Sequence, residues 1–185
     1  AASDVYKRQG NTLFPWKLHT MKNGLRVGIV GIVTDYVNIW EKEENLKGIH
    51  ITDPFEAAKN ALAQMKEQTD LTICIYHGGF ECDLESGETL SQTTENVGYR
   101  ICKELDFDIL LTGHQHMSVP GRDISGTYTV QPCDNAKEYQ YLEVTMTDHE
   151  KSIRSELRQS DAAKGTVLAD TVSYTHLTLP TICSV

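Results

Sequence analysis

Leu25–Thr34 (LRVGIVGIVT) is apolar and β-branched almost without a break. A strand with one wet face alternates apolar and polar residues, so a run of this kind calls for a sheet covered on both faces. Two further runs share the property, Leu71–Tyr76 (LTICIY) and Asp108–Thr112 (DILLT). Helical patterns lie between them. Asp53-Pro54 supplies an N-cap and a first helical residue, and Phe55, Ala58, Leu62 and Met65 fall on one stripe. A second helix is predicted from about Thr94 to Leu105, burying Val97, Ile101 and Leu105. Thr12–Met21 reads as a strand joined to Leu25–Thr34 by a hairpin turn at Asn23-Gly24. Tyr128–Gln131 and Tyr139–Thr147 read as later strands, and Lys151–Leu157 as the start of a helix or as a linker. Strands alternating with helices imply an α/β fold, with a β-hairpin at one side and strands after the last crossover.

Two of the apolar runs end alike. LTICIY runs into His77-Gly78-Gly79, and DILLT runs into Gly113-His114-Gln115-His116. Ligand sites in open α/β sheets lie beyond the carboxyl ends of the strands, so both histidine groups fall on the functional edge. The i, i+2 spacing of His114 and His116 lets their rings share a side if the backbone is extended. Neutral imidazole binds zinc, iron, nickel and similar ions. Glycine beside each histidine permits a tight turn and close approach of a ligand to the backbone. His77 alone reads as an ordinary loop or core histidine; the G-H-x-H group alone leaves ligand and packing equally open, because two imidazoles on one turn seldom serve packing; together they read as a metal site. His19, His50 and His149 have no such partner and read as surface residues. Asp35, Glu41, Glu43 and Glu44 read as a solvated loop rather than a ligand set. Cys74, Cys82, Cys102 and Cys133 form no C-x-x-C pair and read as buried free thiols.

A net charge of −9, with no Lys/Arg-rich run, argues against a nucleic-acid-binding surface. It leaves room for a phosphorylated small substrate, since bound metal ions can supply positive charge. The longest apolar runs are too short to span a bilayer.

YHGGFECDLESGETL, TENVGYRI and DILLTGHQHM with the following Pro120-Gly121 resemble the calcineurin-like metallophosphoesterases, in particular the bacterial 5′-nucleotidases and 2′,3′-cyclic-nucleotide 2′-phosphodiesterases. The likeness extends over KNGLRVGIVGIVT and DPFEAAKNAL and reaches Val130-Gln131-Pro132. It implies part of a four-layer α/β/β/α sandwich and two divalent metal ions, zinc, manganese or iron, about 3.5–4 Å apart. It further implies that His77 and His114 bind one ion, that His116 binds the other, and that Gly78 and Gly79 let the phosphate approach. The substrate would be a nucleotide or another phosphate ester. Three family motifs, D-x-H, a G-D pair and G-N-H-E, have no counterpart here, nor has the nucleotidase C-terminal domain that clamps the base. Cys133-Asp134-Asn135-Ala136 stands where relatives often carry glycines.

The two termini predict each other at the DNA level. Ala1–Gln9 can be encoded by GCAGCGTCAGATGTGTATAAGAGACAG, whose reverse complement, read from its third base, gives Val-Ser-Tyr-Thr-His-Leu-Thr-Leu and the start of a proline codon. Val172–Pro180 has that sequence. Residues 1–9 and 171–185 therefore read as a translated sequencing adaptor. Residues 10–147 then read as the C-terminal half of a metallophosphoesterase domain, and residues 148–170 as a linker or the start of a further element. On this reading the chain lacks the N-terminal half of its active site and is inactive alone, its parent being a nucleotide-hydrolysing enzyme. The competing readings are a non-catalytic α/β binding module holding one structural ion or none, and an unrelated metallohydrolase with other upstream ligands.

Overall fold

The computed structural model describes residues 7–8, 11–12, 16–147 and 150–160. The adaptor-like stretch 171–185, most of 1–9, His149 and residues 161–170 lie outside the described residues. Lys7–Arg8 (β1) and Asn11–Thr12 (β2) form a two-residue antiparallel ladder. Then come Lys17–Thr20 (β3) and Arg26–Val33 (β4), joined through Asn23-Gly24 as the sequence predicts. Gly24 has φ +88°, its amide donates to Met21 O at 2.9 Å, and Asn23 Oδ1 accepts from Leu25 N.

After a short helix, Val37–Trp40 (α1), the chain forms Pro54–Met65 (α2), Leu71–His77 (β5), Gly98–Glu104 (α3) and Ile109–Thr112 (β6). Val119–Ile124 (β7), Thr127–Gln131 (β8), Glu138–Met146 (β9) and Lys151–Gln159 (β10) complete it. The main sheet has the order β3-β4-β5-β6-β8-β7. Its four inner strands pair in parallel, and its two edges are antiparallel.

The pleat sorts the apolar runs between two layers. Val30, Ile32, Cys74, Tyr76 and Leu110 meet α2 and α3 through Phe55, Ala58, Leu62, Met65 and Ile101. Val27, Leu71 and Ile109, with Ile29, Ile73 and Leu111, meet Leu142, Val144, Met146 and Ile153 of the β9–β10 hairpin. Helices, sheet and hairpin are thus three layers of an α/β/β arrangement, which is why Leu25–Thr34 needs no polar face.

The cap of α2 is as expected: Asp53 Oδ1 accepts from Phe55 N at 2.8 Å and Glu56 N at 3.1 Å, with Pro54 in the first turn. Replacing Asp53 by alanine should destabilise the fold by about 1 kcal/mol, read from the urea midpoint at unchanged slope. A second local tie sits where β4 and β5 begin. Arg26 donates to Asp70 from its backbone amide, Nε and Nη2, and Asp70 N returns a bond to Arg26 O. The Arg26 hydrogen bonds hold the Asp70 carboxyl down at about 2, from an ordinary 3.8. A carboxyl with a depressed folded value stabilises fully above its unfolded value and loses that contribution as pH falls through the folded one. The acid limb of a stability–pH curve should therefore fall between about pH 4 and pH 2, and Asp70→Asn should flatten that interval.

Three elements differ from expectation. The second helix starts at Gly98, not Thr94, because the backbone before it is held elsewhere: Glu95 O accepts the Tyr76 hydroxyl, Asn96 Oδ1 accepts Gly79 N, and Gly98 N donates to Gly79 O. Val119–Ile124 is a strand although it contains Pro120 and Gly121; it is an edge strand with a register shift between Val119 and Arg122, where proline is tolerated. Lys151–Gln159 is neither helix nor linker. It pairs with β9 over nine positions from Lys151↔Met146 to Gln159↔Glu138, with Ile153, Ser155 and Leu157 alternating towards the less exposed side. The Lys151 ammonium also bonds Asp108 at the start of β6, tying the hairpin to the sheet.

Candidate metal centre at the strand ends

β5 and β6 are neighbours, so the segments that follow them leave the sheet side by side. His77 closes β5, and its carbonyl accepts Thr34 N from the end of β4 at 3.0 Å. The two motif loops are fastened to each other. Gly113 N donates to Gly78 O, Phe80 N donates to Gln115 Oε1 at 2.7 Å, and Gln115 Nε2 donates to Phe80 O at 2.9 Å. Gln115, between the two histidines of its motif, therefore acts as a two-point clamp on the H-G-G-F turn.

The glycines are explained by that fastening. A Cβ on Gly78 would lie 2.0 Å from the Tyr76 ring, and one on Gly79 would lie 2.0 Å from Gln115 Oε1. Both residues are buried, and the Gly79 amide is already bonded to Asn96 Oδ1 at 2.7 Å. Glu81 caps α3: its carboxylate accepts Tyr99 N at 3.0 Å and Arg100 N at 2.6 Å. Burial raises the Glu81 carboxyl against the opposing pull of these amides.

The histidine rings meet at this edge. His77 and His114 stand 5.4 Å apart between centroids, tilted by 59°. His114 Nε2 lies 2.9 Å from Glu95 Oε1. Trp40, 51% exposed, stacks on His114 at 5.1 Å and 28°, and Tyr36 meets Trp40 edge-on at 5.7 Å. His116 lies on the exposed part of the same turn. The segment is not extended, as the i, i+2 argument assumed: His114 has φ +72° and His116 φ +56°. Left-handed backbone at non-glycine residues costs roughly 1–3 kcal/mol and concentrates at functional sites. The glycine-like loop at Cys133–Ala136 keeps such a shape without glycine, with φ +60° at Asn135 and +52° at Ala136.

Crowding of its ring lowers the His77 pKa, and the charges of His114 and His116 lower it further. His77 keeps a solvent-facing edge. The lowered pKa favours neutral imidazole, the form that binds metal. Among the described residues, however, no three His, Cys, Asp or Glu converge as a complete metal cage. Imidazole nitrogens are donors that could hold a divalent ion, but those brought together here are too few for a full coordination shell.

Several participants were not singled out from the sequence. Glu95 stands inside TENVGYRI without a periodic or spacing signal, and Trp40 lies in a segment read as solvated. Asp35, read with that segment, is half-buried: its Oδ1 is buried without a hydrogen-bond partner, and burial, then Asp53, raises its carboxyl. The four cysteines considered are free, but only Cys74 and Cys102 are buried, Cys102 with its thiol pushed up to about 12 by that burial. Cys82 and Cys133 are part-exposed because they stand in the loops after β5 and β8, outside the layers.

No protein-family model matches the chain. It is 29% identical over 103 residues to the 2′,3′-cyclic-nucleotide 2′-phosphodiesterase/3′-nucleotidase of Salmonella typhimurium, covering 55% of this chain and 15% of that protein. It is 29% identical over 122 residues to the 5′-nucleotidase of Vibrio cholerae, covering 64% of this chain and 22% of that one. Metallophosphoesterase YunD of Bacillus subtilis aligns over 161 residues at 22% identity, 83% of this chain and 30% of YunD. Among solved structures, a putative 5′-nucleotidase from Staphylococcus aureus superposes with TM-score 0.79 and 27% identity over 94% of this chain and 35% of that one. The sulfate thiohydrolase SoxB of Thermus thermophilus shares the fold, with TM-score 0.66 at 15% identity, over 82% of this chain and 26% of SoxB. The chain thus spans between 15% and 35% of the length of these relatives.

Proposed function

The chain is related to the nucleotidase-type metallophosphoesterases, and on that footing we propose that it contributes half of a metal-dependent phosphoesterase site to a larger enzyme acting on nucleotides. Hydrolysis of a phosphate ester is the activity that the names of its sequence relatives share; a nucleoside monophosphate or a 2′,3′-cyclic nucleotide is the substrate class. The carrying observation is the convergence of His77 and His114 at the carboxyl ends of adjacent strands, with ring centroids 5.4 Å apart.

On this reading His77 and His114 hold one divalent ion and His116 helps to hold a second. When bound, such ions polarise the phosphoryl group and lower the pKa of water. This chain's residues do the rest of the local work. Crowding favours the neutral form of His77, and Gln115 and Asn96 tie the H-G-G-F turn to the His114 turn and the 94–97 loop. Gly79 is buried, with its amide bonded to Asn96 and Gln115 packed where a Cβ would stand, so it would meet a phosphate by displacing those side chains. The missing donors would come from residues 5′ of this segment in the gene, and base recognition from a further domain.

Reading the gene upstream of the Gly10 codon tests this. In-frame D-x-H, G-D and G-N-H-E motifs are expected, with no adaptor sequence between. An upstream region without them would overturn the phosphoesterase reading. It would favour a binding module with a single ion, the alternative that the incomplete cage among the described residues supports.

A further inference from the structure

We propose that Glu95 is a positioning residue for His114: it accepts the Nε2 proton and so leaves Nδ1 as the ring nitrogen offered to a divalent metal. The inference deepens the metal-site reading above and rests on it for the identity of the ligand.

Four observations support it. Glu95 Oε1 lies 2.9 Å from His114 Nε2, and a carboxylate only accepts, so the nitrogen facing it carries the proton. A neutral imidazole with Nε2 protonated has its lone pair on Nδ1. The pair is sheltered: the His114 side chain is 18% exposed, the lowest value among the described ion pairs, and Glu95 is 30% exposed. Trp40 lies against one face of the ring at 5.1 Å and limits its rotation. Glu95 is itself anchored. Its carbonyl accepts the hydroxyl of fully buried Tyr76 at 3.1 Å, and its neighbour Asn96 is bonded to Gly79. The loop 94–97 forgoes helix to make these bonds, so the carboxylate is delivered by fixed backbone rather than by a mobile surface side chain. Carboxylate partners of this kind fix tautomer and ring orientation, and their loss lowers metal affinity about 10–100-fold.

The test uses the full 185-residue chain, labelled with nitrogen-15, with the histidine ring correlations recorded before and during a Zn²⁺ titration. The His114 signals are assigned by their loss in His114→Gln. A hydrogen-bonded Nε2–H resonance on His114 is expected in the unsubstituted chain, with Zn²⁺ shifting Nδ1. Glu95→Ala should remove that resonance and weaken Zn²⁺ binding about 10–100-fold, while Glu95→Gln, which keeps an acceptor oxygen and the side-chain shape, should fall between. Zn²⁺ binding through Nε2, or a resonance that survives Glu95→Ala, overturns the proposal. Should Glu95→Ala fail to fold, Glu95→Gln with unchanged affinity overturns it. If Zn²⁺ moves neither His77 nor His114, the metal-site reading fails, and the Nε2–H resonance and its dependence on Glu95 still decide the pairing.

Discussion

On the proposed reading, replacing His77 by alanine in the full-length parent is expected to lower kcat/KM for phosphate-ester hydrolysis on the order of 10²–10⁴-fold, with little change in stability. The side chain is exposed at the end of β5, and its β-ladder contacts are made by backbone, so truncation removes almost no core. Surface substitutions away from buried features usually stay within about 0.5 kcal/mol. In the proposed site the ring's value is as a metal donor. Losing one of the few protein ligands loosens an ion whose polarising effect is worth several kcal/mol, at about 1.36 kcal/mol per tenfold in rate. Rates at saturating metal should be measured beside a thermal melt. A loss of less than about tenfold with an unchanged melt would mean that His77 is not a ligand.

Gly98→Ala should be strongly destabilising for a single added methyl, by about 1–3 kcal/mol in urea unfolding. The added Cβ would sit 2.6 Å from Gly79 O and 3.1 Å from the Phe80 ring. A backbone oxygen cannot rotate away as a side chain does. Shifting the helix end instead would break the Gly98 N to Gly79 O bond of 2.9 Å and pull on the turn that carries His77. Gly113→Ala is the control. A Cβ there meets nothing within 4 Å, so its stability should change little despite its place beside His114. Equal effects of the two substitutions would show that the loop packing is not what Gly98 protects.

Much of the scaffold is legible from residue periodicity, because burial on two faces leaves a plain mark. The runs LRVGIVGIVT, LTICIY and DILLT become β4, β5 and β6, and the Asp53-Pro54 signal becomes the start of α2. The convergence of two histidine motifs is legible too, since adjacent parallel strands must release their loops at one edge. What periodicity misses is set by side chains distant in sequence. Local propensity would start α3 at Thr94, but Tyr76, Gly79 and Glu81 take the backbone and the cap. Lys151–Gln159 carries few apolar residues and becomes a strand because β9 offers it a full ladder and a small apolar face to cover. Glu95 reaches His114 from a loop and Trp40 from the end of α1, both distant from it in sequence, and no spacing rule encodes such a contact. The left-handed backbone at His114 and His116 flanks the Gln115 clamp, a long-range tie that the residue types alone do not reveal.

The most direct test of the central claim, that His77 and His114 serve one ion, is a double-mutant cycle on Zn²⁺ affinity. It would be measured by competition with a chromophoric chelator for the chain and for its His77→Ala, His114→Ala and doubly substituted forms. Residues that share a ligand couple strongly, so each single substitution should weaken binding nearly as much as the pair together. Losses that simply add, or an unsubstituted chain that binds no Zn²⁺, would contradict a shared site and return the two histidines to separate loops.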